Sequence, residues 1–129
     1  MWHYSEYYCS LSTETAPGPL DVLCKGDMVE MKSLHNPPQG VKDTLFAFMA
    51  IIGRRQPGAN EWKNCRKHLG DPRILDTLKN FDPKSVTPED AKYARTLTAD
   101  ISAAAIRAKS AAASSVLTWV KTVLDMRSC

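Results

Sequence analysis

A proline pair divides the first half of the chain into two segments of different helical character, and this division constrains the fold more than any other feature. Residues 27–34 are amphipathic, with two methionines and a leucine on one side. The sequence Asn36-Pro37-Pro38 ends that segment, because each ring removes a backbone donor and disfavours helical geometry in the residue before it. Residues 41–52 are apolar on almost all sides, which predicts a buried helix that Gly53 can close in the left-handed conformation.

The rest of the sequence predicts short helices and no strands. Helical patterns cover residues 20–34, 61–69 and 102–126, and the last of these passes from small residues to bulky ones. Because there is no internal repeat and no β-rich run, we expect an all-α fold of about six short helices. Three helix starts are expected where a capping residue precedes a proline suited to the first helical position, at Asp71-Pro72, Asp82-Pro83 and Thr87-Pro88.

The N-terminal residues do not fit this helical pattern. Residues 1–19 have no period, and they include a Pro-Gly-Pro run that cannot be helical. We therefore predict an atypical segment over residues 1–19, either divergent or joined from elsewhere, and one domain over residues 20–127. In the first helix of that domain the expected inward residues are Leu20 and Leu23, with Val22 and Val29 as further candidates.

No arrangement of catalytic or ligand-binding residues stands out. The chain has no glycine-rich phosphate loop, and its three histidines lack the spacing of a metal site. Four widely spaced cysteines favour reduced thiols in a cytosolic protein over a disulfide framework. The longest apolar run, residues 45–52, is too short to span a membrane, and no secretory signal is evident. We expect a binding module without cofactor or metal rather than an enzyme.

Basic residues form three groups along the chain, although the formal net charge is only +3. A local excess of Lys and Arg attracts an acidic partner and speeds encounter with it. Each group alone is typical of a solvated helix face, so binding requires that helix packing gathers the groups on one side. The candidate contact residues are Lys25, Lys32 and His35 in the first group, Lys63, Arg66, Lys67 and Arg73 in the second, and Arg107 and Lys109 in the third.

Six landmarks in a fixed order give the chain a family resemblance. They are Met31-Lys32-Ser33-Leu34-x-Asn36-Pro37-Pro38, an apolar helix that begins Val41-Lys42 and ends Ile51-Ile52-Gly53, Trp62-Lys63, Leu69-Gly70-Asp71-Pro72, Asn80-Phe81-Asp82, and Lys109-Ser110-Ala111-Ala112 with Trp119-Val120. In this order and at this spacing they resemble the microtubule-binding domain at the tip of the dynein heavy-chain stalk.

The resemblance implies a helical cap on the stub of an antiparallel coiled-coil stalk. Such a cap docks on α/β-tubulin in microtubules, and the stalk joins it to the rest of the heavy chain, whose distant ring hydrolyses ATP. Sliding of one stalk helix along the other would move the first cap helix and change the affinity during minus-end-directed motility. The run at residues 69–72 favours an axonemal chain, in a cilium or flagellum, over a cytoplasmic transport dynein. Some outer-arm chains of the family also bind a leucine-rich light chain.

The match to the family is uneven among the basic residues. Lys32, Lys63 and Arg66 stand at positions that are basic in the family. The start of the last predicted helix departs from the pattern, because glutamate and lysine are usual there and this chain has Ala104, Ala105, Arg107 and Lys109. The resemblance therefore leaves open which of the last two basic residues contacts tubulin.

A small helical nucleic-acid-binding module is the alternative function. Short helices with clustered Lys and Arg are compatible with it. The small net charge, the absence of a helix-turn-helix signature and the lack of aromatic residues among the basic ones favour a tubulin partner over nucleic acid. The tubulin interpretation requires that Lys32, Arg66 and Arg107 face the same side of the molecule.

Overall fold

The computed structural model describes residues 22–128, which fold into seven α-helices and one 3₁₀ turn, with no strand among them. The prediction of an all-α fold is confirmed. The predicted N-terminal segment, residues 1–19, lies outside the described residues. In chain order the elements are α1 (Lys25–Lys32), α2 (Gln39–Ile51), α3 (Glu61–Leu69), α4 (Ile74–Lys79), the 3₁₀ turn (Pro83–Ser85), α5 (Pro88–Thr98), α6 (Ala103–Arg107) and α7 (Ala111–Arg127).

The core forms where α2 packs against α5 and α7. Trp119 of α7 is fully buried, and its ring meets Phe48 of α2 edge-on at a centroid distance of 5.2 Å. Phe81 contacts the same indole from the α4–3₁₀ connection, at 5.3 Å. The helices α1, α3 and α6 pack around this centre, and α1 contacts both α3 and α7.

The central helix α2 begins directly after the proline pair and ends as the sequence predicts. Gly53 has a φ of 75°, the left-handed region that glycine tolerates without strain. The amide of Gly53 donates to the carbonyl of Ala50, and the amide of Arg54 donates to the carbonyl of Met49 at 2.9 Å. These two bonds satisfy carbonyls that a helix end otherwise leaves without partners.

Helix α1 is shorter than the prediction over residues 20–34. It starts after Cys24, whose amide donates to the Asp27 carboxylate at 3.0 Å. Met28 and Met31 are buried as expected. The inward prediction for Val22 and Val29 is wrong, because these side chains are 37% and 59% exposed. The methionines already supply the apolar side of such a short helix.

The long helix predicted over residues 102–126 is wrong, since the chain forms two helices there. Ser110 separates α6 from α7 with an extended backbone, φ −163° and ψ 121°. Its Oγ accepts a hydrogen bond from the amide of Ala113 at 3.1 Å, which caps the start of α7. Ser102 caps α6 in the same way through the amide of Ala105. The serines compete with helix continuation because their side chains bond to nearby backbone amides.

The three capping residues before prolines behave differently from one another. Thr87 caps α5 through its hydroxyl and the amide of Asp90 at 3.1 Å, as predicted. Asp82 starts only the 3₁₀ turn. Asp71 does not cap α4, which begins three residues later at Ile74. The Asp71 carboxylate instead accepts from the amide of Arg73 at 2.9 Å and pairs with a distant arginine, which holds a turn rather than a first helical turn.

Candidate functional site

The carboxyl end of α1 lies on α3 and is held there by two side chains that donate to its backbone. Arg66 Nε donates to the carbonyl of Lys32 at 2.9 Å. The indole Nε1 of Trp62 donates to the carbonyl of Leu34 at 3.2 Å. These bonds join the first and second basic groups, and they make Arg66 a neighbour of Lys32, which lies 34 residues earlier in the sequence.

The side chain of Lys32 runs across Gly70, at the carboxyl end of α3. A Cβ atom added to Gly70 would lie 3.3 Å from Lys32 Cδ, 3.5 Å from its Nζ and 3.5 Å from the carbonyl oxygen of Lys67. The ammonium group therefore sits beside the negative end of the α3 dipole, which stabilises a cation there. The sequence predicted Gly70 only as the residue that closes α3. Its φ of −86° is an ordinary helical value, so no left-handed backbone calls for a glycine here, and a Cβ would instead press on the flexible side chain of Lys32.

The opposite flank of α1 contacts the turn between α6 and α7. The hydroxyl of Ser110 donates to Glu30 Oε2 at 2.6 Å. Arg107 is the last residue of α6, and Lys109 directly precedes Ser110, so the third basic group lies on a segment bonded to α1. Nothing in the sequence pattern indicated this bond, because Glu30 and Ser110 are ordinary residues for a helix surface and a helix start.

The remaining candidates lie on α1 and α3 or in the segments that follow these helices. Lys25 and Lys32 lie seven residues apart on one flank of α1, about 10 Å along the helix. Lys63 and Lys67 are exposed on the side of α3 away from its buried Cys65. The other two flank these helices and are exposed, His35 in the break after α1 and Arg73 just before α4.

These cations make no ion pair with another residue in the range 22–128, a property that they share with Lys42, Lys79 and Lys92. Arg54 pairs with Asp71 at 2.9 Å, and Arg55 lies 3.5 Å from Glu61. Three further cations, Arg95 on α5 and two on α7, donate to the protein itself: Lys121 Nζ donates to the Ile101 carbonyl, Arg127 Nε to the Val86 carbonyl and Arg95 Nη2 to Ser128 Oγ. Cations without an ion pair among the described residues are therefore present on α1, α3 and the α6–α7 turn, which the bonds described above join.

Two titratable groups on α3, Cys65 and His68, have shifted pKa values. Burial, and secondarily the Glu61 carboxylate, raise the pKa of the Cys65 thiol to about 12, so it stays protonated and a poor nucleophile. Partial burial and the cations Arg54 and Lys67 lower the pKa of His68, whose ring lies 3.3 Å from the amide oxygen of Gln56. Across residues 22–128 no group of acidic, histidine and cysteine side chains could hold a metal ion.

A cavity of about 480 Å³ lies between α5 and α7, away from α1. It is lined by polar side chains that include Arg95, Thr98, Lys121 and Asp125. Burial raises the pKa of Asp125, while the neighbouring cations oppose that shift. None of the helices in the described part of the chain is long and apolar enough to cross a bilayer.

A comparison with protein-family models matches residues 10–128 to the microtubule-binding stalk of dynein motors. The chain belongs to this family. The match covers almost the whole chain and agrees with the helical cap that the structure shows. The dynein stalk domain is a binding module, and its landmarks at residues 31–38 and 62–63 fall on the α1–α3 contact described above.

Relatives of this stalk domain include both flagellar and cytoplasmic dyneins. It is 36% identical over 107 residues to the dynein-1-beta heavy chain of the flagellar inner arm I1 complex of Chlamydomonas reinhardtii, which covers 81% of this chain. It is 30% identical over 105 residues to the cytoplasmic dynein 2 heavy chain 1 of the same alga, covering 78% of this chain. Human dynein axonemal heavy chain 17 is 32% identical over 107 residues, again covering 78%. The chain spans about 2% of the length of each of these relatives.

Proposed function

We propose that this stalk domain binds microtubules through the cationic surface formed by α1, α3 and the α6–α7 turn. The observation that carries the proposal is the bond from Arg66 Nε to the Lys32 carbonyl, which brings two distant basic segments together. The Ser110–Glu30 bond adds the segment with Arg107 and Lys109. The wall of a microtubule is strongly acidic, so unpaired cations on this surface give fast, reversible and salt-sensitive binding.

The wider role follows from the family. We propose that α/β-tubulin in microtubules and the rest of a dynein heavy chain are the partners, and that the stalk transmits nucleotide-controlled affinity for minus-end-directed motility. ATP hydrolysis belongs to the motor ring of the parent chain. The flagellar and axonemal relatives support a place on the cytoskeleton of a cilium or flagellum, and a cytoplasmic dynein is a further possibility among them. A leucine-rich light chain is an additional partner in this proposal.

Helix α1 is suited to respond to the stalk. It has only eight residues, it contains Gly26, and the proline pair separates it from the buried helix α2. Its attachments to the remainder of the domain include single hydrogen bonds on either flank. Binding and helix position are linked reciprocally, so microtubule contact would also bias the conformation of the stalk.

Microtubule co-sedimentation across a salt series tests the proposal. We expect Lys32→Ala and Arg66→Ala each to weaken binding about fivefold, because each removes one close charge from an interface with an acidic partner. Lys92→Ala is the matched control, since Lys92 is exposed on α5, which begins beside the far end of α7. Unchanged affinity in both variants, or equal loss in the control, would contradict the proposed surface. Gel retardation of DNA and RNA at the same ionic strength tests the nucleic-acid alternative.

A further inference from the structure

Val29 is a large apolar side chain that α1 presents to solvent. It is 59% exposed, whereas Met28 and Met31 on the same helix are 4% and 0% exposed. Among the described residues, Val22 is the other large hydrophobic residue that is exposed, and it lies just before α1. Both of these exposed valines therefore lie on α1 or just before it.

The contacts of α1 define which way Val29 points. Successive residues of a helix are rotated by about 100°, so the two methionines set the inward direction. The flank with Lys32 faces α3, and the flank with Glu30 faces Ser110 at the start of α7. Val29 lies on the strip that remains outward, between these two occupied flanks.

The neighbouring residues on the outward side of α1 have no side chain or a short one, so the side chain of Val29 projects furthest from the helix there. Gly26 has no side chain, and a Cβ there would meet only Cys24 Sγ at 3.7 Å. The hydroxyl of Ser33 is folded back to the carbonyl of Glu30 at 2.6 Å. A partner surface can therefore approach the backbone of α1 closely, and Val29 would be enclosed when it does.

Charges surround this apolar residue rather than cover it. Lys25 and Lys32 lie on the flank beside it, and the segment with Arg107 and Lys109 lies beyond the other flank. Protein interfaces commonly place a desolvated apolar residue at the centre and polar groups at the rim. We infer that Val29 is an apolar anchor that packs against the acidic microtubule wall and supplies a salt-independent part of the affinity. This inference rests on the proposed function.

Replacement of Val29 by threonine tests the anchor, because threonine keeps the branched shape and exchanges one methyl for a hydroxyl. We expect Val29→Thr to raise the Kd for microtubules about fivefold at every salt concentration, because a hydroxyl replaces a methyl group in the apolar contact. Lys63→Ala should instead reduce the slope of affinity against salt. Val29→Ile, which stays apolar, should keep the wild-type affinity within about twofold.

The outcomes separate the anchor from the proposed function. If wild-type protein pellets with microtubules and Val29→Thr has the same Kd, the inference is overturned. It is also overturned if Val29→Thr changes the salt slope, or if Val29→Ile weakens binding as much as Val29→Thr does. If wild-type protein fails to pellet even at low ionic strength, the proposed function itself is wrong. Circular dichroism and urea denaturation of each variant establish that α1 is still folded.

Discussion

Trp119 illustrates how a single residue can matter by packing alone. Its ring is fully buried between Phe48 and Phe81, but its Nε1 donor has no hydrogen-bond partner within the described residues. A buried donor without a partner opposes folding, since it gave up its bond to water. The indole therefore stabilises the core through its apolar area and its contacts with the two phenylalanine rings.

We expect Trp119→Ala to lower the free energy of unfolding by about 3–5 kcal/mol, because it leaves a large cavity. Trp119→Phe should cost clearly less, since it keeps an aromatic ring and removes the unpaired donor. Urea denaturation measures both values. Trp62→Phe is the matched control, because the Trp62 indole donates to the Leu34 carbonyl and loses that bond on substitution. The account of Trp119 fails if its Phe variant is as unstable as its Ala variant.

At the scale of the helix, the sequence predicted elements well where local signals agree. Helix α3 occupies residues 61–69 as predicted, because its apolar spacing and its terminal Gly70 point to the same limits. Helix α5 follows Thr87 for the same reason. The break at Ser110 was missed because the alanine-rich sequence on either side favours helix, and one serine cap is a weak signal against it. A tertiary contact, the bond to Glu30, adds to the cap at this point.

We expect Ser110→Ala to destabilise the fold by about 1–3 kcal/mol, because it removes both the cap of α7 and a hydrogen bond to a carboxylate. Ser102→Ala should cost less, since Ser102 caps α6 through one bond and is exposed. Thermal or urea unfolding of the two variants gives the comparison. An equal loss of unfolding free energy in the two variants would show that the bond from Ser110 to Glu30 does not stabilise the fold.

At the scale of the whole molecule, the sequence predicted which residues could bind but not how they come together. The three basic groups were evident from charge alone, and the family landmarks indicated two of them. The bonds that assemble the first two groups end on backbone carbonyls, those of Lys32 and Leu34. A carbonyl is present at every residue, so no side-chain pattern could reveal these contacts. The position of the Lys32 side chain beside Gly70 could not be predicted from the sequence either, because glycine has no side chain to signal the contact.

The position of Arg66 predicts that its shape matters as well as its charge. Lysine keeps the charge but lacks the planar fork with which arginine can bond through Nε and leave other donors for a partner. We expect Arg66→Lys to weaken microtubule binding about threefold in co-sedimentation. A lysine there lacks the Nε bond that holds Arg66 in place, so its side chain loses more conformational freedom on binding. Arg73→Lys is the control, since the Arg73 side chain makes no hydrogen bond to other described residues. Equal effects in both variants would contradict this role for Arg66.

Because Arg66 donates to the carboxyl end of α1, its side-chain contact depends on the axial position of that helix. Carbonyls at a helix end point along its axis, so an axial displacement acts directly on the length of this contact. The rise of one residue, about 1.5 Å, is enough to break a bond of 2.9 Å. A movement too small to disturb the core could then release a guanidinium from the protein to an outside acceptor, or withdraw it again.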